Sequence, residues 1–190
     1  MDTKITNRVA EKMWGQKVIH IPNTTDIYGA DLVSSFVSNY VTRTLCLLAK
    51  DHMIILPDTA RHEVTQMLKY FSNIGLDYIR EKNFIYLEGV EHHRLSTVVM
   101  NYADQISEFN DPSYTSLVPF TSATAIELMG IKYGKEYGLQ ESLSLFLNDK
   151  SFLRQMLHDK GILVPSVNIV STITDKYVKK ALKMYRKFEN

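Results

Sequence analysis

Four short apolar runs, separated by segments with helical periodicity, constrain the fold of this chain more than any other feature of its sequence. Such runs are typical of strands that are buried on both faces of a parallel sheet. Alternating strands and helices indicate βαβ units, so we predict an α/β, Rossmann-like, three-layer domain with a mainly parallel sheet. Pro119 places the fourth strand at a sheet edge or ends it there, because proline has no amide hydrogen. The predicted strands are residues 17–21, 52–56, 84–87 and 116–120, and the predicted helices lie near residues 5–13, 32–41, 64–71, 95–106 and 125–133.

Polar residues follow the predicted strands at the points where the strands end. Asn23 and Asp26 follow the first strand, Asp58 follows the second, and Thr121 follows the fourth. In open α/β sheets, ligands collect outside the carboxyl ends of the strands. We therefore expect Asn23, Asp26 and Asp58 to help bind a substrate. The alternative is that they are loop and helix-capping residues, and Asp58 or its neighbour Thr59 is well placed to cap the next helix.

The stretch from Asn148 to Pro165 contains residues that favour the start, the apolar face and the end of one helix. Asn148 or Asp149 can accept a hydrogen bond from the first free backbone N–H groups, and Gly161 suits the left-handed residue that ends a helix. Pro165 then prevents the helix from resuming. The first turn combines unpaired N–H groups, the positive end of the helix dipole and the ammonium of Lys150, which together attract phosphate. The apolar stripe of this helix is Phe152, Leu153, Met156 and Leu157.

The same stretch resembles the entry to the central domain of ATP-grasp ligases. Asn148-Asp149-Lys150-Ser151, a helix, and then Gly161-Ile162-Leu163-Val164-Pro165 stand in the order that this superfamily shows. The family lysine at this place reaches the ATP phosphates, and Lys150 is the residue that matches it. Arg154 lies one helical turn later on the same side, where it would assist. The strands and helices that precede the stretch are similar in order to the pre-ATP-grasp domain of these enzymes.

The resemblance implies an ATP-dependent carboxylate–amine ligase, in which ATP and magnesium serve to form an acyl phosphate that an amine attacks. It divides the chain into a pre-ATP-grasp-like domain, residues 1–146, and an incomplete start of the central domain, residues 147–190, as a short α/β extension. The family's glycine-rich loop, adenine-binding hinge and magnesium ligands have no counterpart after Lys150. We therefore expect a substrate-side or scaffold portion without a catalytic residue of its own. It would need the remainder of the ligase, in the same chain or a partner chain.

Two other functions stay open. A non-catalytic interaction module would pair through its apolar surface or its last helix and form a homo-oligomer. A nucleic-acid accessory protein would use the basic residues between Lys176 and Lys187 in that helix. Nucleic acid is the weaker alternative, because the net charge is +1 and no second basic patch or aromatic platform joins the helix.

Familiar catalytic and metal-binding motifs are missing from the sequence. A dinucleotide fingerprint needs glycines directly after the first strand, and only Gly29 is near. His92 and His93 lack a third ligand at useful spacing, so no metal site is predicted. Cys46 stands between two leucines and is expected to be a small buried residue rather than a nucleophile.

The expected compartment is the cytoplasm. A single cysteine fits a reducing environment. The first residues lack the apolar centre of a signal peptide, and no apolar run is long enough to span a bilayer, so no membrane partner is expected.

Overall fold

The computed structural model describes residues 3–28, 44–90, 93–143 and 150–162 of the chain. The chain divides into two compact units, Met1–Ser144 and Leu145–Asn190. Among the residues described, no helix is long and apolar enough to cross a membrane.

The first unit is built around a sheet of parallel strands. Its strands are β1 (Val18–Ile21), β2 (Met53–Pro57), β3 (Phe84–Leu87) and β4 (Ser116–Pro119), in the spatial order β3-β2-β1-β4. Ile19 of β1 pairs with Met53 on one side and with Leu117 on the other. Every residue of β1 and β2 is buried, as expected for inner strands of a sheet that is covered on both faces. The α/β, Rossmann-like fold with a parallel sheet is therefore confirmed.

Helices follow the strands along the chain. In the described part of the first unit they are α1 (Thr3–Trp14), α2 (Thr25–Tyr28), α3 (Arg61–Asn73), α4 (Leu95–Tyr102), α5 (Ser107–Asn110) and α6 (Thr124–Tyr133). Short 3-10 turns occupy Asp58–Ala60, Glu81–Asn83 and Ala103–Gln105. The second unit contributes α7 (Lys150–Asp159).

Two apolar cores lie on opposite faces of the sheet. One core joins Ile55 of β2 to Val99 of α4 and Met129 of α6. The other joins Ile54 of β2 to Val64 of α3. Ile54 and Ile55 belong to different cores because successive side chains of a strand point to opposite faces. The sheet therefore lies between two packed layers, as the three-layer prediction requires.

The strand order creates a switch point between β1 and β4. The chain builds outward from β1 through β2 to β3, and then returns to the free side of β1 to form β4. In open α/β sheets, the crevice for a ligand forms at such a point, outside the carboxyl ends of the strands. Pro119 is the last residue of the edge strand β4, which agrees with the prediction from its missing amide hydrogen.

The prediction that Cys46 is buried is wrong, because its side chain is exposed. Cys46 lies in a turn in which Leu45 and Leu48 are fully buried and belong to the core that contains α3. These two leucines take the inward positions of the turn and leave Cys46 on the outside.

The predicted capping of α3 by Asp58 or Thr59 is also wrong. The chain enters α3 through the 3-10 turn Asp58–Ala60, so Ala60 is the N-cap residue and no side chain caps the helix there. Asp58 pairs with the side chain of Arg61 instead. The predicted helix at 32–41 lies outside the described residues.

Candidate functional site

Asn23 ties together the loops that follow β1 and β4. Its side-chain oxygen accepts hydrogen bonds from the amides of Phe120 (3.0 Å) and Thr121 (3.1 Å). Its side-chain nitrogen donates to the Thr121 carbonyl and to a carboxylate oxygen of Asp26, both at 2.9 Å. Asn23 is fully buried, and these four bonds use both donors and both lone pairs of its amide. Asn23 therefore positions the site and has no hydrogen-bonding capacity left for a ligand.

Thr25 and Asp26 satisfy the first free amides of α4. The Thr25 hydroxyl accepts a hydrogen bond from the Leu95 amide at 2.8 Å, and Asp26 accepts a longer one of 3.4 Å from the Ser96 amide. Arg94, the N-cap residue of α4, makes no side-chain cap, so residues from 70 positions earlier in the chain replace it. A carboxylate is favourable there because the N-terminus of a helix carries partial positive charge.

Asp26 is the acidic group of this network that solvent can reach. It is partly buried, with one oxygen bonded to Asn23 and the other to the Ser96 amide and the Thr25 hydroxyl. An ionised carboxylate offers about four acceptor positions, so one position remains for an incoming donor. We refer to Asn23, Thr25, Asp26 and Thr121 as the switch-point network.

The N-terminus of α6, which follows β4, already holds a carboxylate from the chain itself. Glu141 accepts hydrogen bonds from the backbone amide (2.8 Å) and the hydroxyl (2.5 Å) of Thr124. The Glu141 amide in turn donates to the carboxylate of Glu127. Sequence reasoning missed Glu141, because it lies 17 residues after its partner and no local pattern links the two.

Asp58 belongs to a different cluster on the same edge of the sheet. Its carboxylate accepts hydrogen bonds from Nη2 (2.8 Å) and Nε (3.0 Å) of Arg61, and the guanidinium lies 4.0 Å from the centre of the Tyr86 ring. The bond to Asp58 is the main cause that raises the pKa of Arg61, and burial raises the pKa of Tyr86 to about 12. Both charged side chains are about half exposed, and no hydrogen bond in the described chain joins Asp58 to the switch-point network.

The predicted phosphate site at Lys150 and Arg154 lies in the second unit, in helix α7. Helix α7 begins at Lys150, and Arg154 one turn later is exposed. The last residue of the helix is Asp159, and Gly161 takes the predicted left-handed conformation just beyond it, with φ +71°. The amide of the next residue, Ile162, donates to the Leu157 carbonyl at 3.0 Å. The predicted caps Asn148 and Asp149, and the side chain of Lys150, lie outside the described residues.

No metal site is built by the described residues. Among them, no group of three histidine, cysteine, aspartate or glutamate side chains converges closely enough to hold an ion.

Comparison with known proteins adds no relative. No family model, no curated protein and no solved structure matches the chain. The resemblance to ATP-grasp ligases therefore depends on the residues from Asn148 to Pro165 and on the order of the preceding elements.

Proposed function

We propose that this chain is the substrate-side portion of an ATP-dependent carboxylate–amine ligase of the ATP-grasp type. The observation that carries the proposal is the switch-point network, which lies where open α/β sheets bind their ligands. It supports the proposal because it presents one partly exposed carboxylate, Asp26, on a frame fixed by partly buried hydrogen bonds. Without the remainder of the ligase, the chain is proposed to bind substrates and not to join them.

In this proposal, Asp26 binds the ammonium group of the acceptor amine. Its remaining acceptor position and its negative charge suit a donor that carries positive charge. Asn23 acts as a positioning residue, because its side chain donates a hydrogen bond of 2.9 Å to Asp26 and makes its other hydrogen bonds to the loop after β4. Asp58 is proposed as a secondary contact, since a substrate must compete with Arg61 for its carboxylate.

The proposed nucleotide contacts are Lys150 and Arg154 in the first turns of α7. The helix start at Lys150 and the exposure of Arg154 support this part of the proposal. Free amides and a lysine at a helix N-terminus favour the phosphates of ATP over the uncharged adenine and ribose. The ligands for magnesium would come from the remainder of the ligase.

The test is a titration of ATP and of AMP, followed through the backbone amide signals of the whole chain by NMR. We expect ATP to shift the amides of residues 150–154 more than AMP does, and we expect Lys150→Ala to abolish these shifts. Lys160→Ala is the matched control, because Lys160 is exposed just beyond the other end of α7. Equal shifts in the wild type and in Lys150→Ala, or no shifts, would contradict the proposed phosphate contact.

A second candidate function is self-association as a non-catalytic module. It is favoured by the exposed apolar side chains of α6, where Ile131 is 70% exposed and Leu128 is 52% exposed. These residues are three positions apart and share one face of the helix. Sedimentation velocity at increasing concentration should show a dimer that Ile131→Glu disrupts. A monomer at all concentrations would rule this candidate out.

A further inference from the structure

A cavity of 180 Å³ lies on the sheet face opposite the core that contains α4. Its lining includes Trp14 at the end of α1, His20 and Pro22 from β1 and its loop, and Val118 and Phe120 from β4 and its loop. The remaining lining residues are also uncharged. An apolar cavity of about 150 Å³ can hold a molecule the size of benzene, so this volume suits one small ring. A charged guest would find no opposite charge in the lining.

The histidine in the lining belongs to a buried chain of hydrogen bonds. His52 Nε2 lies 2.9 Å from the Gly15 carbonyl, which can only accept, so Nε2 carries the hydrogen. His52 Nδ1 accepts a hydrogen bond from the Ala49 amide at 3.1 Å and is therefore the unprotonated nitrogen of that ring. His20 Nε2 is 3.0 Å from the same unprotonated His52 Nδ1, so the hydrogen of His20 lies on Nε2 and shares the single lone pair of Nδ1 with the Ala49 amide. The pattern fixes the tautomer of both rings.

The fixed tautomer leaves His20 Nδ1 as a hydrogen-bond acceptor. A neutral imidazole with its hydrogen on Nε2 has a bare lone pair on Nδ1. No protein group in the described chain donates to that nitrogen. Burial, and then the neighbouring His52, lower the pKa of His20 to about 3, so the ring is neutral near pH 7. His20 contributes a permanent acceptor to a cavity whose other polar side-chain atoms belong to Thr44 and to Trp14, whose indole Nε1 has no hydrogen-bond partner in the described chain.

We propose that this cavity is a binding site for a small, uncharged, single-ring molecule whose hydroxyl or N–H group donates to His20 Nδ1. The apolar lining contacts the ring of the ligand, and His20 favours ligands that carry a hydrogen-bond donor. This site is separate from the proposed ligase function, because it uses the uncharged face of β1 and β4 instead of the carboxylate of Asp26.

Phenol and toluene are the probes, since they have nearly the same size and only phenol has a donor. Trp14 is the only tryptophan of the chain and lines the cavity, so its fluorescence reports binding there. Excitation at the red edge of the tryptophan band avoids absorption by phenol, and calorimetry gives an independent affinity. One hydrogen bond predicts that the wild type binds phenol about three- to tenfold more tightly than toluene.

Two variants separate the parts of the proposal. Val118→Phe fills the cavity from the edge strand and should abolish the binding of both probes. His20→Phe removes the acceptor but keeps a ring, and His52 Nδ1 still has the Ala49 amide, so toluene should bind while the preference for phenol disappears. His62→Phe is the matched control, because His62 is exposed on α3. It should behave like the wild type.

Three results would overturn the proposal. The first is that neither probe changes the fluorescence of Trp14 in the wild type. The second is that toluene binds as tightly as phenol, and the third is that Val118→Phe leaves both affinities unchanged. The comparison of the two probes on the wild type decides the matter even where His20→Phe does not fold. The ATP titration at residues 150–154 is independent of all three.

Discussion

Two acidic residues follow neighbouring strands at one edge of the same sheet, yet their surroundings differ in kind. Asp26, after β1, is bonded to a buried amide side chain and to the backbone of α4. Asp58, after β2, is about half exposed and pairs with Arg61, a side chain three residues away. The bond from the Ser96 amide to Asp26 joins residues 70 positions apart, whereas the Asp58–Arg61 pair is local. Equivalent positions in the sequence pattern therefore have different structural roles.

The difference follows from the position of each strand in the sheet. The loop after β1 meets the loop after β4, because the two strands are neighbours although about a hundred residues separate them. Backbone groups that are partly buried where the two loops meet need hydrogen-bond partners, and Asn23 supplies them. After β2 the chain enters α3 through the 3-10 turn Asp58–Ala60, and the polar side chain of Asp58 remains about half exposed.

The largest effect should come from Asn23→Ala. The substitution removes four hydrogen bonds and leaves the partly buried amide and carbonyl of Thr121 without their partner. Buried groups that lose a partner cost about 1–3 kcal/mol each, so we expect a loss of about 3 kcal/mol or more in the free energy of unfolding. Urea denaturation measures it. Asn110→Ala, at an exposed position, should change stability by less than about 0.5 kcal/mol, and a similar small change for Asn23→Ala would refute the structural role.

The next largest effect should come from acid, which should lower the free energy of unfolding through His20 in β1. Unfolded His20 binds a proton below its ordinary pKa of 6.5, whereas folded His20 does so only near a pKa of 3. The unfolded state therefore gains protons first as the pH falls, and stability decreases through this range. His20 alone should cost about 2 kcal/mol between pH 7 and pH 5. Burial lowers the pKa of His52 as well, which adds to the loss in the same direction.

Urea denaturation at both pH values of wild type, His20→Phe and His62→Gln measures this effect. In His20→Phe, the part of the stability difference between pH 7 and pH 5 that His20 causes should largely disappear. In His62→Gln, which changes an exposed histidine, the difference should be the same as in the wild type. Equal stability of the wild type at the two pH values would mean that His20 is not held neutral by burial.

A smaller effect is expected from Thr25→Val. This change removes the hydroxyl that accepts the Leu95 amide but nearly keeps the volume of the side chain. Loss of a helix N-cap costs about 1 kcal/mol. Thr65→Val is the control, because its exposed hydroxyl bonds only within α3. Thermal unfolding should separate the two variants, and equal midpoints would argue against capping of α4 by Thr25.

The smallest effect should come from Asp58→Asn. Exposed ion pairs contribute little to stability because water and salt screen them, and the Asp58–Arg61 pair is of this kind. Added salt should reduce the difference between wild type and variant further, since salt screens exposed charges. A loss as large as that of Asn23→Ala would remove the contrast between the two clusters.

The sequence is sufficient to predict the sheet but not the network at its edge. Apolar runs ended by polar loops mark all four strands. The two inner strands, β1 and β2, are buried at every position, and His20 is the one residue of these two strands that is not apolar. The part played by Asn23 depends on β4 lying beside β1, which no local pattern encodes. The contact of Glu141 with Thr124 has the same origin. The predicted cap at Asp58 is wrong because capping propensity does not reveal that a 3-10 turn precedes α3.

The most direct test of the central claim is to locate the amine site on the sheet edge. Free amino acids and their methyl esters, which carry an ammonium group, would be titrated into the wild type, Asp26→Asn and Asp58→Asn, with backbone amides followed by NMR. We predict shifts at Ser96 and Thr121 that disappear in Asp26→Asn and persist in Asp58→Asn. Shifts that survive in Asp26→Asn, or that gather around Asp58 and Arg61, would contradict the assignment of the switch point as the substrate-binding edge.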